Sequence, residues 1–194
     1  MSSIDWYDAN AEAFAARTFG PGMEADQARF LAHVPAGGAV LDAGCGAGRD
    51  ALAFIRGGYQ VTAFDGSAAL ARLASANTGL AVRNMTFADM AWNSAIDGIW
   101  ACSTLLHLPL AELPETFARI VRALKPGGVF YASFKEGDGE RFANGRHFTD
   151  FTQPALRQRL GAAGLVVVEA WSAADERPGH TGESWVAAIA RRSV

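Results

Sequence analysis

The stretch AVLDAGCGAGRDALAFIRGGYQVTAFDGS, from Ala39 to Ser67, constrains the fold of this chain more than any other. Its first apolar run ends at an acid, Asp42. Three glycines alternate with small residues after that acid, and an alanine-rich helical pattern begins at Arg49. A second apolar run, Tyr59 to Phe64, ends at Asp65. The pattern predicts a strand, a tight glycine loop, a helix, a second strand and an acid at the end of that strand.

The glycine loop predicts a ligand seat. Gly44 and Gly46 can adopt positive φ and allow a ligand to approach the backbone, and the helix start behind them offers free N–H groups at a positive dipole end. An acid at the tip of the second strand, Asp65, is placed to accept ribose hydroxyl groups. We therefore expect a ligand with a nucleoside at one end and an anionic group at the other.

The spacing of the glycines disfavours NAD. The dinucleotide fingerprint is G-x-G-x-x-G, but Arg49 stands where the third glycine would fall, and an acid lies two residues before the first glycine. The run D-A-G-C-G-A-G resembles instead the first motif of class I S-adenosylmethionine-dependent methyltransferases. RIVRALKPGGVFYASF resembles that family's helix, turn and fifth strand. The resemblance covers the chain after Pro35 and looks closest to small bacterial enzymes of the tellurite-resistance type.

The resemblance implies S-adenosylmethionine as the cofactor, with Asp65 holding its ribose. The family's second motif falls on Asp89, expected at the adenine amino group, and on Met90, expected against the adenine ring. A plain loop acid at Asp89 remains the alternative. The expected cofactor-binding residues are Asp42, Gly44, Cys45, Gly46, Asp65, Gly66, Ser67, Asp89, Met90 and Cys102.

Helix and strand patterns alternate along the rest of the chain. Further strands are predicted at Leu80 to Arg83, Ala95 to Ser103, Val129 to Phe134, Leu165 to Trp171 and Ser184 to Ala190. Together they predict an α/β fold, a Rossmann-like doubly wound sheet of seven strands, mostly parallel. The last two strands are joined without a helix, so the last strand should run antiparallel. The polar, glycine-rich segment 135–150 is predicted to be a long loop.

Two helical patterns precede the first strand and predict an N-terminal helical extension over residues 1–35, before a methyltransferase domain over residues 36–194. Tyr7 and Phe14 are seven residues apart, and Trp6 and Asn10 are four apart, so their aromatic and amide groups share a limited arc of the first helix. One interpretation is a lid whose aromatic side chains exclude water, and the other is an ordinary packing face.

Composition narrows the class of partner. The chain has 194 residues, half of them apolar, which suits one domain with a full core. A net charge of −3 without runs of like charge predicts neither nucleic acid nor a membrane surface as partner, and favours a small molecule. Two cysteines are spaced for neither a zinc site nor a disulfide framework, so no metal is expected. An acidic N-terminal region without a long apolar run predicts a cytoplasmic protein.

The ligand crevice of a doubly wound sheet lies beyond the carboxyl ends of its parallel strands. Several arginines follow those ends, and arginines around a cationic sulfonium make sense only beside an anion, so we expect a small anionic substrate. The alternative is that most of them are solvated or paired with acids. The expected substrate-binding residues are Tyr7, Arg49, Arg141, Arg146 and Arg177.

An acceptor oxygen or nitrogen that must lose a proton would need a base. His107, which follows the fourth strand, is the first candidate and His147 the second, because histidine titrates in the useful range. A sulfur, selenium or tellurium acceptor would need none. Two other functions remain open, a non-catalytic cofactor-binding module and an RNA methyltransferase. The sequence does not predict the oligomeric state or the pathway.

Overall fold

The computed structural model describes residues 2–20, 22–175 and 181–194. The helices of this part of the chain are α1 (Ser3–Thr18), α2 (Glu24–Leu31), α3 (Arg49–Arg56), α4 (Ala68–Thr78), α5 (Leu113–Ala123) and α6 (Gln153–Ala162). Its strands are β1 (Ala39–Ala43), β2 (Gln60–Asp65), β3 (Arg83–Asn84), β4 (Ile96–Ala101), β5 (Leu124–Lys135), β6 (Gly139–Ala143), β7 (Arg146–Asp150), β8 (Leu165–Ala174) and β9 (Ser184–Arg192).

The main sheet has the order β3-β2-β1-β4-β5-β9-β8. The first five strands pair in parallel, whereas β9 runs antiparallel to both β5 and β8. The predicted seven-stranded, mostly parallel sheet with an antiparallel last strand is confirmed. The strand order reverses between β1 and β4, and such a switch point is where doubly wound sheets bind ligands.

Alternate residues of the central strands build the cores on the two faces of the sheet. Ile99 and Phe130 pack on one face, whereas their neighbours Trp100 and Tyr131 pack on the other. The Trp100 and Tyr131 rings stack with centroids 3.8 Å apart. Phe30 of α2 is fully buried against Trp100, with ring centroids 5.3 Å apart. The second N-terminal helix is therefore part of the core.

The third strand lies later than predicted. The sequence placed it at Leu80 to Arg83, but β3 contains only Arg83 and Asn84. Gly79 ends α4 with φ at 76°, and the Leu80 N–H donates to Thr78 Oγ1. The helix-terminating turn therefore uses the residues that the apolar pattern assigned to the strand.

The prediction of a long loop over residues 135–150 is wrong. β5 ends at Lys135, the first residue of this segment, and β6 pairs with β7 in an antiparallel hairpin over most of the rest. Asn144 and Gly145 connect the two strands with φ at 51° and 77°. Positive φ at both positions is what a type I′ turn requires, and Asn-Gly is its strongest sequence signal. The polar composition of the segment concealed that signal.

Helix α1 lies across the carboxyl edge of the sheet. At its start, Ser2 and Asp5 form a reciprocal capping box. Asp8 Oδ1 accepts hydrogen bonds from Ser67 Oγ at 2.6 Å and from the Ala69 N–H at 3.0 Å, at the start of α4. The His147 N–H of the hairpin donates to Ser3 Oγ at 3.0 Å. α1 therefore bridges α4 and the hairpin.

Candidate functional site

A cavity of about 1840 Å³ opens at the carboxyl ends of the parallel strands, beneath α1. The glycine loop, the ends of β2, β4 and β5, and the hairpin contribute to its wall. Pockets for a single small ligand usually have volumes of about 300 to 1,000 Å³. The cavity therefore has room for a cofactor and an acceptor together.

The glycine loop approaches its neighbours too closely for larger residues. Gly44 has φ at 75°, and a Cβ atom added there would lie 2.0 Å from Thr104 Oγ1. Gly46 has φ at 56°, and its N–H donates to Asp65 Oδ2 at 2.8 Å. The loop is thus held against the end of β2, with its backbone on the cavity wall.

Asp65 is a buried acid that orders the loop and still faces the cavity. Its two carboxyl oxygens accept hydrogen bonds from the N–H groups of Gly46 and Ser67, both at 2.8 Å. Burial raises the pKa of Asp65 to about 6. A carboxylate can accept about four hydrogen bonds, so two backbone donors leave capacity for ligand hydroxyl groups. This geometry suits the ribose contact that the sequence predicted.

Asp42 is buried at the base of the cavity, with 2% of its surface exposed. Among the described residues, its Oδ2 atom has no hydrogen-bond partner. Burial, together with repulsion from Asp50, raises the pKa of Asp42 well above its usual range. A buried acceptor without a donor is costly, so a ligand that brings a cationic or N–H group would be stabilised here. The site fits a cofactor with an amino group.

Four other predicted cofactor residues also lie in the cavity wall, namely Cys45, Gly66, Ser67 and Cys102. Burial raises the pKa of both thiols, that of Cys102 to about 12, so both remain neutral. Ser67 Oγ caps α4 by accepting from the Leu70 N–H. A Cβ atom added to Gly66 would lie 3.0 Å from Ile4 Cδ1 of α1. The two cysteines thus supply packing, and the residues after β2 form a close seat for α1.

The structure does not bring Asp89 and Met90 to the cavity. Asp89 Oδ2 accepts from the N–H and Oγ1 of Thr86, both at 2.8 Å, and so caps a short turn on the surface. Met90 is 3% exposed and packs in the apolar core. Phe87 and Ala88 line this part of the wall instead.

Arg49 and Arg141 line the cavity but are paired with acids. The Arg49 guanidinium donates to Asp50 Oδ1 at 2.8 Å and to Oδ2 at 2.9 Å. A positive charge at the start of a helix requires a nearby anion, and for Arg49 that anion is Asp50. Arg141 makes a two-point ion pair with Asp150. Arg177 lies outside the described residues.

Arg146 is the predicted arginine whose fork is not engaged by an acid within the described ranges. Its Nη1 donates to Tyr7 Oη at 3.1 Å, and its guanidinium carbon lies 4.2 Å from the centre of the Trp6 ring. Its Nε is buried and has no hydrogen-bond partner there. Arg146 lines the cavity, so a guanidinium that no described acid neutralises suits an anionic ligand group there.

His107 is hydrogen-bonded to Tyr7 in the cavity wall. Its Nε2 lies 2.8 Å from Tyr7 Oη, and its Nδ1 lies 2.7 Å from the carbonyl oxygen of His147. A carbonyl can only accept, so Nδ1 carries the proton and Nε2 accepts from the Tyr7 hydroxyl. Burial lowers the pKa of His107 to about 4, so its ring is neutral at physiological pH.

The His147 side chain turns towards its own hairpin. Its Nε2 lies 3.0 Å from Thr149 Oγ1 and 3.3 Å from a carboxyl oxygen of Glu140. Its backbone carbonyl, rather than its ring, contributes to the site.

One cavity residue of α1, Arg17, was not among the predicted site residues, whereas Trp6 belongs to the aromatic arc predicted for this helix. Arg17 lines the cavity, and Trp6 lies beneath the Arg146 guanidinium. Arg17 is three residues after Phe14, so it follows the aromatic arc that Tyr7 begins. That helical spacing was the available signal for Arg17.

The described residues include no group of three or more His, Cys, Asp or Glu side chains placed to hold a metal ion. Within the same ranges, no helix combines the length and the apolar character needed to cross a membrane.

Comparison with known proteins gives matches of both sequence and structure. Residues 40–128 match a family described as "Methyltransferase domain". The chain is 33% identical over 186 residues to a ubiquinone biosynthesis O-methyltransferase from Xanthomonas axonopodis pv. citri, covering 82% of this chain and 75% of that protein.

The solved structures with a similar fold include a 1,6-didemethyltoxoflavin-N1-methyltransferase from Burkholderia thailandensis, bound to 1,6-didemethyltoxoflavin and S-adenosylhomocysteine. It has a TM-score of 0.80 and 26% identity, over 98% of this chain and 87% of that one. A methyltransferase from Methanosarcina mazei, with a TM-score of 0.76 and 18% identity over 84% of this chain and 96% of that one, shows the fold alone. With the glycine loop and buried acids described above, these similarities show that the chain belongs to the class I S-adenosylmethionine-dependent methyltransferase family.

Proposed function

We propose that this S-adenosylmethionine-dependent methyltransferase acts on a small anionic molecule, by in-line transfer to an oxygen or nitrogen atom that loses a proton. The observation that carries the proposal is the Arg146 guanidinium, whose buried Nε has no partner in the described part of the chain, beside the neutral ring of His107. The related proteins named above are an O-methyltransferase and an N1-methyltransferase. The closer resemblance to tellurite-resistance enzymes and the cytoplasmic location remain predictions.

The cofactor is expected to lie between the glycine loop and the two buried acids. The backbone at Gly44 and Gly46 would approach it, Asp65 would accept from its ribose, and Asp42 would accept from its amino group. Bound S-adenosylmethionine supplies an electrophilic methyl group and a neutral thioether leaving group. The protein then chiefly aligns the acceptor with the methyl carbon.

Helix α1 is proposed to act as a lid over the acceptor. It brings Trp6 and Tyr7 under Arg146, and the Tyr7 and Phe14 rings meet edge to face with centroids 5.0 Å apart. An aromatic wall of this kind excludes water, which strengthens the attraction between an arginine and an acceptor anion.

The test is a pair of acceptors that differ in one charge, 3,4-dihydroxybenzoate and its methyl ester. Arg146→Lys keeps the positive charge and loses the planar fork, so kcat/KM for the acid should fall at least tenfold more than that for the ester. Arg141→Lys is the matched control, because Asp150 already engages that arginine. A wild-type enzyme that prefers the ester, or equal losses on both acceptors in Arg146→Lys, would contradict the anionic substrate.

A further inference from the structure

We infer that Tyr7 is a catalytic residue that receives the proton of the acceptor while passing its own proton to His107, so that the lid helix completes the base. The inference rests on the proposed function and adds a route for the proton. Tyr7 contributes the hydroxyl group, and His107 holds the proton afterwards.

The direction of the hydrogen bonds carries the first step. Since the His147 carbonyl fixes the proton on Nδ1 of His107, the Nε2 atom has one in-plane lone pair, and the Tyr7 hydroxyl lies 2.8 Å from it. An acceptor cannot donate to the same lone pair while Tyr7 occupies it. The proton must therefore travel through Tyr7, or Tyr7 must leave.

Several contacts keep Tyr7 in place. Arg146 Nη1 donates to its oxygen at 3.1 Å, and the rings of Trp6, Phe14 and His107 meet the Tyr7 ring edge to face, with centroids 5.1, 5.0 and 5.3 Å away. Edge-to-face aromatic pairs stabilise a ring beyond the area that they bury. Displacing Tyr7 would break all of these contacts, whereas relaying a proton breaks none.

The Tyr7 oxygen has the capacity for this role. A phenol donates one hydrogen bond and can also accept hydrogen bonds at its oxygen. In Tyr7, Arg146 Nη1 donates one of those that the oxygen accepts. Because Tyr7 lines the cavity, its oxygen can also receive a proton from the hydroxyl group of the methyl acceptor.

The step balances in atoms and charge. The acceptor oxygen forms a bond to the methyl carbon with its own electron pair, and the carbon–sulfur bond breaks with its electrons remaining on sulfur. The acceptor's proton moves to Tyr7 Oη, and the Tyr7 proton moves to His107 Nε2. The sulfonium charge disappears as the imidazolium charge appears, so the net charge of the buried site is unchanged. This conservation offsets the cost of protonating a buried histidine.

The experiment compares Tyr7→Phe with wild type on two catechols. One is 3,4-dihydroxybenzoate, whose hydroxyl groups must lose a proton, and the other is 4-nitrocatechol assayed at a pH where one hydroxyl is already ionised. General bases contribute about 10²- to 10⁴-fold, so kcat on dihydroxybenzoate should fall at least about 100-fold and kcat on nitrocatechol much less. Tyr59→Phe, at a tyrosine outside the cavity, is the matched control and should leave both rates unchanged. Equal rates for Tyr7→Phe and wild type on dihydroxybenzoate would overturn the relay.

A second measurement does not depend on turnover. Nitrogen-15 NMR of the full-length protein with S-adenosylhomocysteine added should show His107 neutral with its proton on Nδ1. A proton on Nε2 would overturn the relay, because His107 would then donate to Tyr7 instead of accepting from it. A wild-type enzyme that binds the cofactor but methylates neither catechol would count against the proposed substrate class. The NMR measurement of the His107 tautomer would then still support or overturn the relay.

Discussion

The proposed cofactor half and the proposed acceptor half of the cavity are built in different ways. The proposed cofactor half, the glycine loop with Asp42 and Asp65, comes from one continuous stretch of chain, residues 39–67, in which backbone N–H groups donate to the Asp65 carboxylate. The acceptor half joins Tyr7 to His107 and Arg146, which are 100 and 139 residues away along the chain, through side-chain atoms. The first half depends on backbone conformation, and the second on how α1 packs against the hairpin.

The largest effect is expected in the cofactor half, from Gly44→Ala. The added methyl group would lie 2.0 Å from Thr104 Oγ1 at a residue with φ of 75°. Left-handed strain of about 1 to 2 kcal/mol and overpacking of about 1 to 3 kcal/mol should lower the free energy of unfolding by about 2 to 5 kcal/mol. Urea denaturation and cofactor calorimetry would measure the losses of stability and affinity.

Gly46→Ala is the control for that variant. Gly46 also has positive φ, but a methyl group added there would lie 3.5 Å from Phe14 Cε1, which is an ordinary contact, so backbone strain is the main cost. Equal stability of the two variants would show that the close approach to Thr104 is unimportant.

Asp65→Asn should have the next largest effect, again confined to the cofactor half. Loss of a charged acceptor should weaken cofactor binding by roughly ten- to a hundredfold. Ribose hydroxyl groups donate to the ionised carboxylate, whose pKa is raised to about 6, so wild-type affinity should fall as the pH drops through about 6. Calorimetry from pH 5 to pH 8 should show this dependence in wild type and a flatter profile in the variant. A variant with the wild-type profile would remove Asp65 from the ribose site.

Gly145→Ala tests the acceptor half alone. Its methyl group would lie 2.7 Å from Trp6 Cδ1 at a residue with φ of 77°, and should push α1 away from the hairpin. We expect kcat to fall about tenfold, in line with misplacement of a catalytic group, while cofactor affinity changes by less than about twofold. Gly139 has φ of 84°, but no heavy atom of the described residues lies within 4 Å of a methyl group added there, so Gly139→Ala controls for strain in the same hairpin. Loss of cofactor affinity in Gly145→Ala would mean that the two halves are not separable.

The smallest effect is expected from Asp8→Ala, which cuts the link between α1 and the cofactor half. The Ala69 N–H, followed by the Ser67 hydroxyl, lowers the pKa of Asp8, so this link persists from neutral pH down into the acidic range. One exposed acceptor is worth little, and the melting temperature should fall by about 4 °C or less. Glu12→Ala, one turn further along α1, is the control in the same thermal scan. If Asp8→Ala lowered the melting temperature more than Gly145→Ala does in the same scan, this link, and not the hairpin, would be the main anchor of the lid.

Much of the fold could be predicted because its signals are local. The strand, glycine loop, helix and acid of residues 39–67 were identified from alternating apolar and glycine positions, and the antiparallel last strand followed from a missing helix. The Asn144-Gly145 hairpin was missed because its strands are short and polar, although its turn residues carried the signal. Asp89, which the sequence predicted at the adenine amino group, does not line the cavity. Its carboxylate accepts hydrogen bonds from Thr86 instead.

The sequence by itself determined the glycine loop and the strand-end acid of the proposed cofactor half, since glycine conformations and a strand-end acid are properties of neighbouring residues. Only the tertiary structure decided which of the predicted arginines, among the described residues, lacks an acid partner. Arg49 and Arg141 are each paired with an acid, whereas the Nε of Arg146 has no partner among the described residues. It also decided where the proton of His107 lies, through the carbonyl of His147. These properties depend on partners brought together by packing, because a hydrogen bond is fixed by distance in space rather than by position along the chain.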